Sequence, residues 1–81
     1  MNKIIFFAQI RETIGVSQLE LDVNMLSVEA LITQLSHRGD NWSLALSEHT
    51  VLCAVNQSLV DHHYIIQSGD EIAFFPPVTG G

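Results

Sequence analysis

The stretch Glu71–Gly81, EIAFFPPVTGG, decides how the rest of the chain is read. Successive side chains of a strand point to opposite faces, so Ile72 and Phe74 share one side of EIAFF while Ala73 and Phe75 share the other. Pro76 and Pro77 then remove two backbone donors and fix φ, so pairing must stop at Phe75. This divides the chain into a folded domain, residues 1–75, and an extended tail, residues 76–81. The tail is uncharged, and its six residues span roughly 20 Å at ~3.3 Å each. Gly80 and Gly81 lack Cβ, which lets their backbone pass a narrow channel. The α-carboxylate of Gly81 is the functional group at the tip. As an anion without a leaving group it is a poor electrophile, and conversion to an acyl-adenylate would supply one.

Upstream, Lys3–Gln9 (KIIFFAQ) is rich in Ile and Phe and reads as a strand apolar on both faces, with Ile5 and Phe7 opposite Ile4, Phe6 and Ala8. A turn at Gly15 leads to Leu19–Val23, which alternates apolar and acidic residues, so the two strands are expected to form a hairpin. Ser27 is a good helix N-cap, Glu29 suits the positive end of the helix dipole, and Gly39 is a natural stop. Between them Val28, Leu31, Ile32 and Leu35 make one apolar stripe. A second short helical segment is expected from Asp40, with Trp42, Ala45 and Leu46 inward. Thr50–Asn56 and Ser58–Val60 read as strands joined tightly at Asn56-Gln57, and a further turn falls at Gly69-Asp70. The fold class is therefore α+β: a mixed sheet of about five strands with one main helix packed on one face. A single helix covers one face only. Phe7 and Phe75 on the other face then either form a partner surface or are wrapped by the short helix and loops.

Composition narrows the function. Nine acidic residues against three basic ones give a net charge of -6. Lys3, Arg11 and Arg38 are scattered, which argues against nucleic acid and for a basic protein partner, or simply for solubility. The apolar run Ile4–Ala8 is shorter than a signal-peptide core, and no stretch approaches the length of a membrane span, so a cytoplasmic location is expected. Cys53 reads as a buried structural thiol, and His37, His49, His62 and His63 lack metal spacing, so no metal is expected.

The chain resembles the small subunit of molybdopterin synthase, a sulfur carrier with the ubiquitin-like β-grasp fold. The resemblance rests on FFAQIRE from Phe6, VEAL from Val28, WSLAL from Trp42, AVNQSLV from Ala54 and GDEIAFFPPVTGG from Gly69. It implies that Gly81 is adenylylated and then thiocarboxylated, with Val78, Thr79 and Gly80 as the threaded tether. It also implies a partner interface at Phe7, Leu59 and Phe75. The implied partners are a large subunit, in a heterotetramer of two small and two large chains, an activating enzyme related to ubiquitin-activating enzymes, and a sulfur-donor system. No cofactor is bound by the carrier itself; ATP is used by the activating enzyme. Sulfur is delivered to cyclic pyranopterin monophosphate to build the dithiolene of molybdopterin, with catalytic residues on the large subunit. The alternatives are a ubiquitin-like protein modifier, a sulfur carrier for thiamine synthesis or thiolation, or a non-catalytic interaction module.

Overall fold

A computed structural model of the protein describes residues 1–47 and 51–77. In chain order the elements are β1 (Asn2–Phe6), α1 (Ala8–Ile14), β2 (Gln18–Leu21), β3 (Leu26–Ser27), α2 (Val28–Ser36), α3 (Asp40–Ser47), β4 (Leu52–Val55), β5 (Ser58–Val60), β6 (Ile65–Ile66) and β7 (Glu71–Phe75). Five strands form one mixed sheet in the order β2-β1-β7-β4-β5. The central pair, β1 with β7, is parallel, and the other neighbours are antiparallel. β3 and β6 make a separate two-stranded ribbon. The arrangement is the β-grasp that the resemblance implied.

One face of the sheet is the core. Ile4 and Phe6 of β1, Ile72 and Phe74 of β7, and Cys53 and Val55 of β4 are buried there against Ile10 and Ile14 of α1, Leu31 and Leu35 of α2, and Ala45 and Leu46 of α3. Phe6 stacks on Phe74 at 6.1 Å and meets the edge of Trp42 at 5.5 Å. Arg38 lies over the outer part of Trp42, its guanidinium carbon 4.9 Å from the ring centroid. Offset and edge-on aromatic contacts of this kind add to burial because the ring edges and faces carry opposite partial charge.

Local chemistry explains most of the boundaries. The Ser27 side chain accepts from the Ala30 amide, as an N-cap should, and Val28, Leu31 and Leu35 are buried. Asn56 and Gln57 both have positive φ, the backbone that a two-residue hairpin turn requires to match strand twist. Three expectations need correction. The first strand ends at Phe6 rather than Gln9, because Ala8 takes φ 53 and turns the chain into α1. Residues 8–14 are thus helical, with Ile10 and Ile14 one turn apart on the buried side and Gly15 closing the helix at φ 86. The hairpin survives as antiparallel β1–β2 pairing, with that helix inserted between its strands. Finally, Gly39 does not stop α2, which ends at Ser36; its carbonyl accepts from the Ser43 amide and so opens α3.

Asn2 is a polar residue with 0% exposure, and every bond it makes crosses the chain. Its amide nitrogen donates to the carbonyls of Gln67 and Asp70 at 2.9 and 3.1 Å, and its amide oxygen accepts from the Val23 backbone N–H at 2.9 Å. It therefore ties the start of β1 to the loop after β2 and to the turn before β7. Truncation strands buried groups in both loops. We expect Asn2→Ala to lower unfolding free energy by about 2–4 kcal/mol in urea titrations, more than a surface Asn56→Ala.

Candidate functional site

Among the described residues all three helices lie over the same face, and they leave the second face of the sheet open. Strand alternation places Ile5, Ala73, Phe75, Leu52, Ala54 and Leu59 there, and all are half-buried or exposed. The register joins them. Ile5 pairs with Ala73, Ala73 with Ala54, and Ala54 with Leu59, forming one row across four strands. Leu52 pairs with Phe75 in the next row. Phe7 keeps extended torsions and donates its amide to the Phe74 carbonyl, which carries the β1 alternation one residue further and puts Phe7 on this face, 44% exposed. Leu59, at 68%, is the most exposed apolar residue of the patch.

The three residues expected at an interface, Phe7, Leu59 and Phe75, are therefore on one open apolar surface. Parity alone identified two of them. Ile5 and Ala73 share that parity; Leu52 and Ala54 complete the surface and were missed, because their rows exist only once strands are paired in register. β7 ends at Phe75, so the chain leaves the sheet from the edge of this patch. Val78, Thr79, Gly80 and Gly81 lie outside the described residues.

The remaining candidates are elsewhere. Cys53 is on the covered face with 0% exposure, and burial in apolar surroundings pushes its thiol from 9.0 up to about 12. Nucleophilic chemistry needs the thiolate, which this site withholds at neutral pH. His62 is half-buried, its Nε2 2.6 Å from the Val51 carbonyl oxygen, while His37 and His63 are exposed and His49 lies outside the described residues. Among the described residues no group of three or more His, Cys, Asp or Glu is placed to hold a metal ion. No helix of the described residues is long and apolar enough to cross a membrane.

The ThiS family matches residues 4–81. Molybdopterin synthase sulfur carrier subunits of Haemophilus influenzae and Escherichia coli are each 47% identical over 81 residues, covering 100% of both chains. The chain belongs to the ThiS family and, within it, to the molybdopterin synthase sulfur carrier subunits. Solved structures are similar as well. A Pyrococcus furiosus chain described as a candidate molybdopterin converting factor subunit 1 superimposes with a TM-score of 0.77 at 26% identity, covering 95% of this chain and 97% of that one. A chain from the complex of subunits 1 and 2 of the Helicobacter pylori molybdopterin-converting factor matches with a TM-score of 0.66 at 25% identity, covering 99% and 97%.

The position of Cys53 makes a direct prediction about reactivity. Native protein should resist alkylation by iodoacetamide near neutral pH and react fully once unfolded in urea. Because the folded state holds this proton more tightly than the unfolded chain, the group's contribution to stability is intact below 9.0 and is lost as pH rises toward about 12. Cys53→Ala should abolish that alkaline component.

Proposed function

We propose that this chain carries sulfur for molybdopterin synthase as a thiocarboxylate on Gly81. Family membership supports the reading, and one structural observation carries it furthest: the open apolar patch adjoins the point where the chain leaves the sheet at Phe75. A partner that seats on Phe7, Leu59 and Phe75 thereby receives the tail. Pro76 and Pro77 keep the tail from returning to the sheet as a strand, and Val78, Thr79 and Gly80 form the tether that is threaded.

The chemistry follows from the carboxylate. A Gly81 oxygen attacks the α-phosphorus of ATP on an activating enzyme, and pyrophosphate leaves. Sulfur at the hydrosulfide level, released by a sulfur donor, then attacks the acyl carbon, AMP departs with the electron pair of the C–O bond, and the S–H proton passes to water. The resulting thiocarboxylate is a sulfur nucleophile at neutral pH, delivered through a narrow channel because the last two residues have no side chains. On the large subunit its sulfur bonds to a side-chain carbon of cyclic pyranopterin monophosphate as an oxygen leaving group departs from that carbon, and water then cleaves the Gly81 acyl–sulfur bond, which leaves the sulfur on the pterin and restores the carboxylate. Two carriers serve the two sulfurs of one dithiolene, which suits a heterotetramer of two small and two large chains. The large subunit supplies the catalytic residues. The subunit 1 and 2 complex of the H. pylori relative supports this pairing.

Mass spectrometry of the chain co-expressed with its activating enzyme and sulfur donor should show one terminal oxygen replaced by sulfur. Deleting Gly81 should abolish transfer and leave the unfolding transition unchanged. Recovery of the free carboxylate alone, or of isopeptide conjugates to lysines, would overturn the reading. Leu59→Lys and Phe75→Ala should each weaken binding to the large subunit by about tenfold or more.

A further inference from the structure

The open face is not uniform, and its polarity runs along the strands. At the tail end it is apolar, through Phe7, Phe75 and Leu52 and then the row Ile5, Ala73, Ala54 and Leu59. At the opposite end Lys3 pairs with Glu20 on one side and Glu71 on the other. Among the described strand residues these three are the charged ones on this face, and they leave one carboxylate in surplus. Asp70 precedes Glu71 in the adjoining turn and adds a further carboxylate at that end.

Resting on the docking role of this face, we propose that its acidic end orients the carrier on its partner, by meeting a basic strip about 13 Å from the pocket that takes Phe75, four residues away at ~3.3 Å each. A standard interface covers ~800 Å² per partner, and Glu20, Lys3 and Glu71 adjoin the apolar rows on the same face, so the docked surface extends over them. An apolar patch alone sets affinity but is tolerant of rotation. Only one rotation directs the tail, leaving at Phe75, into an active site. Charge at one end of the face selects that rotation during encounter, where long-range attraction acts before side chains interlock. The occupant is thus a protein surface with an apolar centre and a one-sided basic rim. The chain's overall charge of -6 speeds its approach, and the placement of the charge on this face sets its orientation.

Stopped-flow association with the large subunit from the same organism, at low and high ionic strength, tests this with Glu20→Lys, Lys3→Glu and Leu59→Ala. Thermal unfolding checks that each variant is folded. At low salt Glu20→Lys should slow association by about threefold or more and flatten its salt dependence, Lys3→Glu should quicken it, and neither should change dissociation appreciably. Leu59→Ala should act the other way, speeding dissociation while leaving association near wild type. Wild-type association rates and salt dependence for both charge variants, or shifts in the same direction, overturn the orienting role while the docking face stands if Leu59→Ala still dissociates faster. Unchanged dissociation of Leu59→Ala removes the docking face itself, and the orienting role with it.

Discussion

The parallel ladder between β1 and β7 is the constraint on which the remainder depends. It joins Lys3 to Glu71, Ile4 to Ile72, Ile5 to Ala73 and Phe6 to Phe74, so the opening and closing strands of the domain meet at the centre of the sheet. Parallel neighbours need a crossover, and every element from α1 to β6 lies between these two strands in the chain. The ladder also fixes where the chain leaves the sheet. β7 has β1 on one side and β4 on the other, so the residue before Pro76 sits in the middle of the sheet rather than on a fraying edge. The strand that closes the fold is thus also the one from which the chain leaves the sheet.

Placing all helices on one face divides the sheet chemically. Ile4, Phe6, Cys53, Ile72 and Phe74 are consumed by the core, while their alternate neighbours Ile5, Ala54, Ala73 and Phe75 remain available. A small domain can hardly spare this much apolar surface for solvent. Phe7 and Leu59 standing exposed makes sense when another protein completes the second layer. The same division disposes of Cys53, whose position on the covered side removes it from the chemistry of the tail.

What could be read in advance, and what could not, follows the range of the interactions. α2 was legible because cap, stripe and dipole are local: Ser27 bonds to Ala30, and Leu31 and Leu35 fall one turn apart. β7 and the Asn56-Gln57 turn were legible for the same reason. α1 was not, since Phe6-Phe7-Ala8 continues an apolar run that reads as strand, and the break depends on Ala8 taking a left-handed torsion that its type disfavours. The Ile10 and Ile14 spacing, followed by Gly15, was the available signal. Asn2 carried no signal, because its partners lie 21, 65 and 68 residues away and are set by the completed topology. The open face was half legible: parity named Phe7 and Phe75, the resemblance named Leu59, and only register joined them.

The central position of β7 has a mechanical consequence. A tail drawn into a channel transmits tension to Phe75, and from there along a strand held by neighbours on both sides. Tension along the strand runs across its hydrogen bonds and strains many together in shear, whereas a strand peeled from an edge loses them singly. On the proposed function, in which successive enzymes grip and release the terminus, the domain can thus be tugged repeatedly without being unravelled.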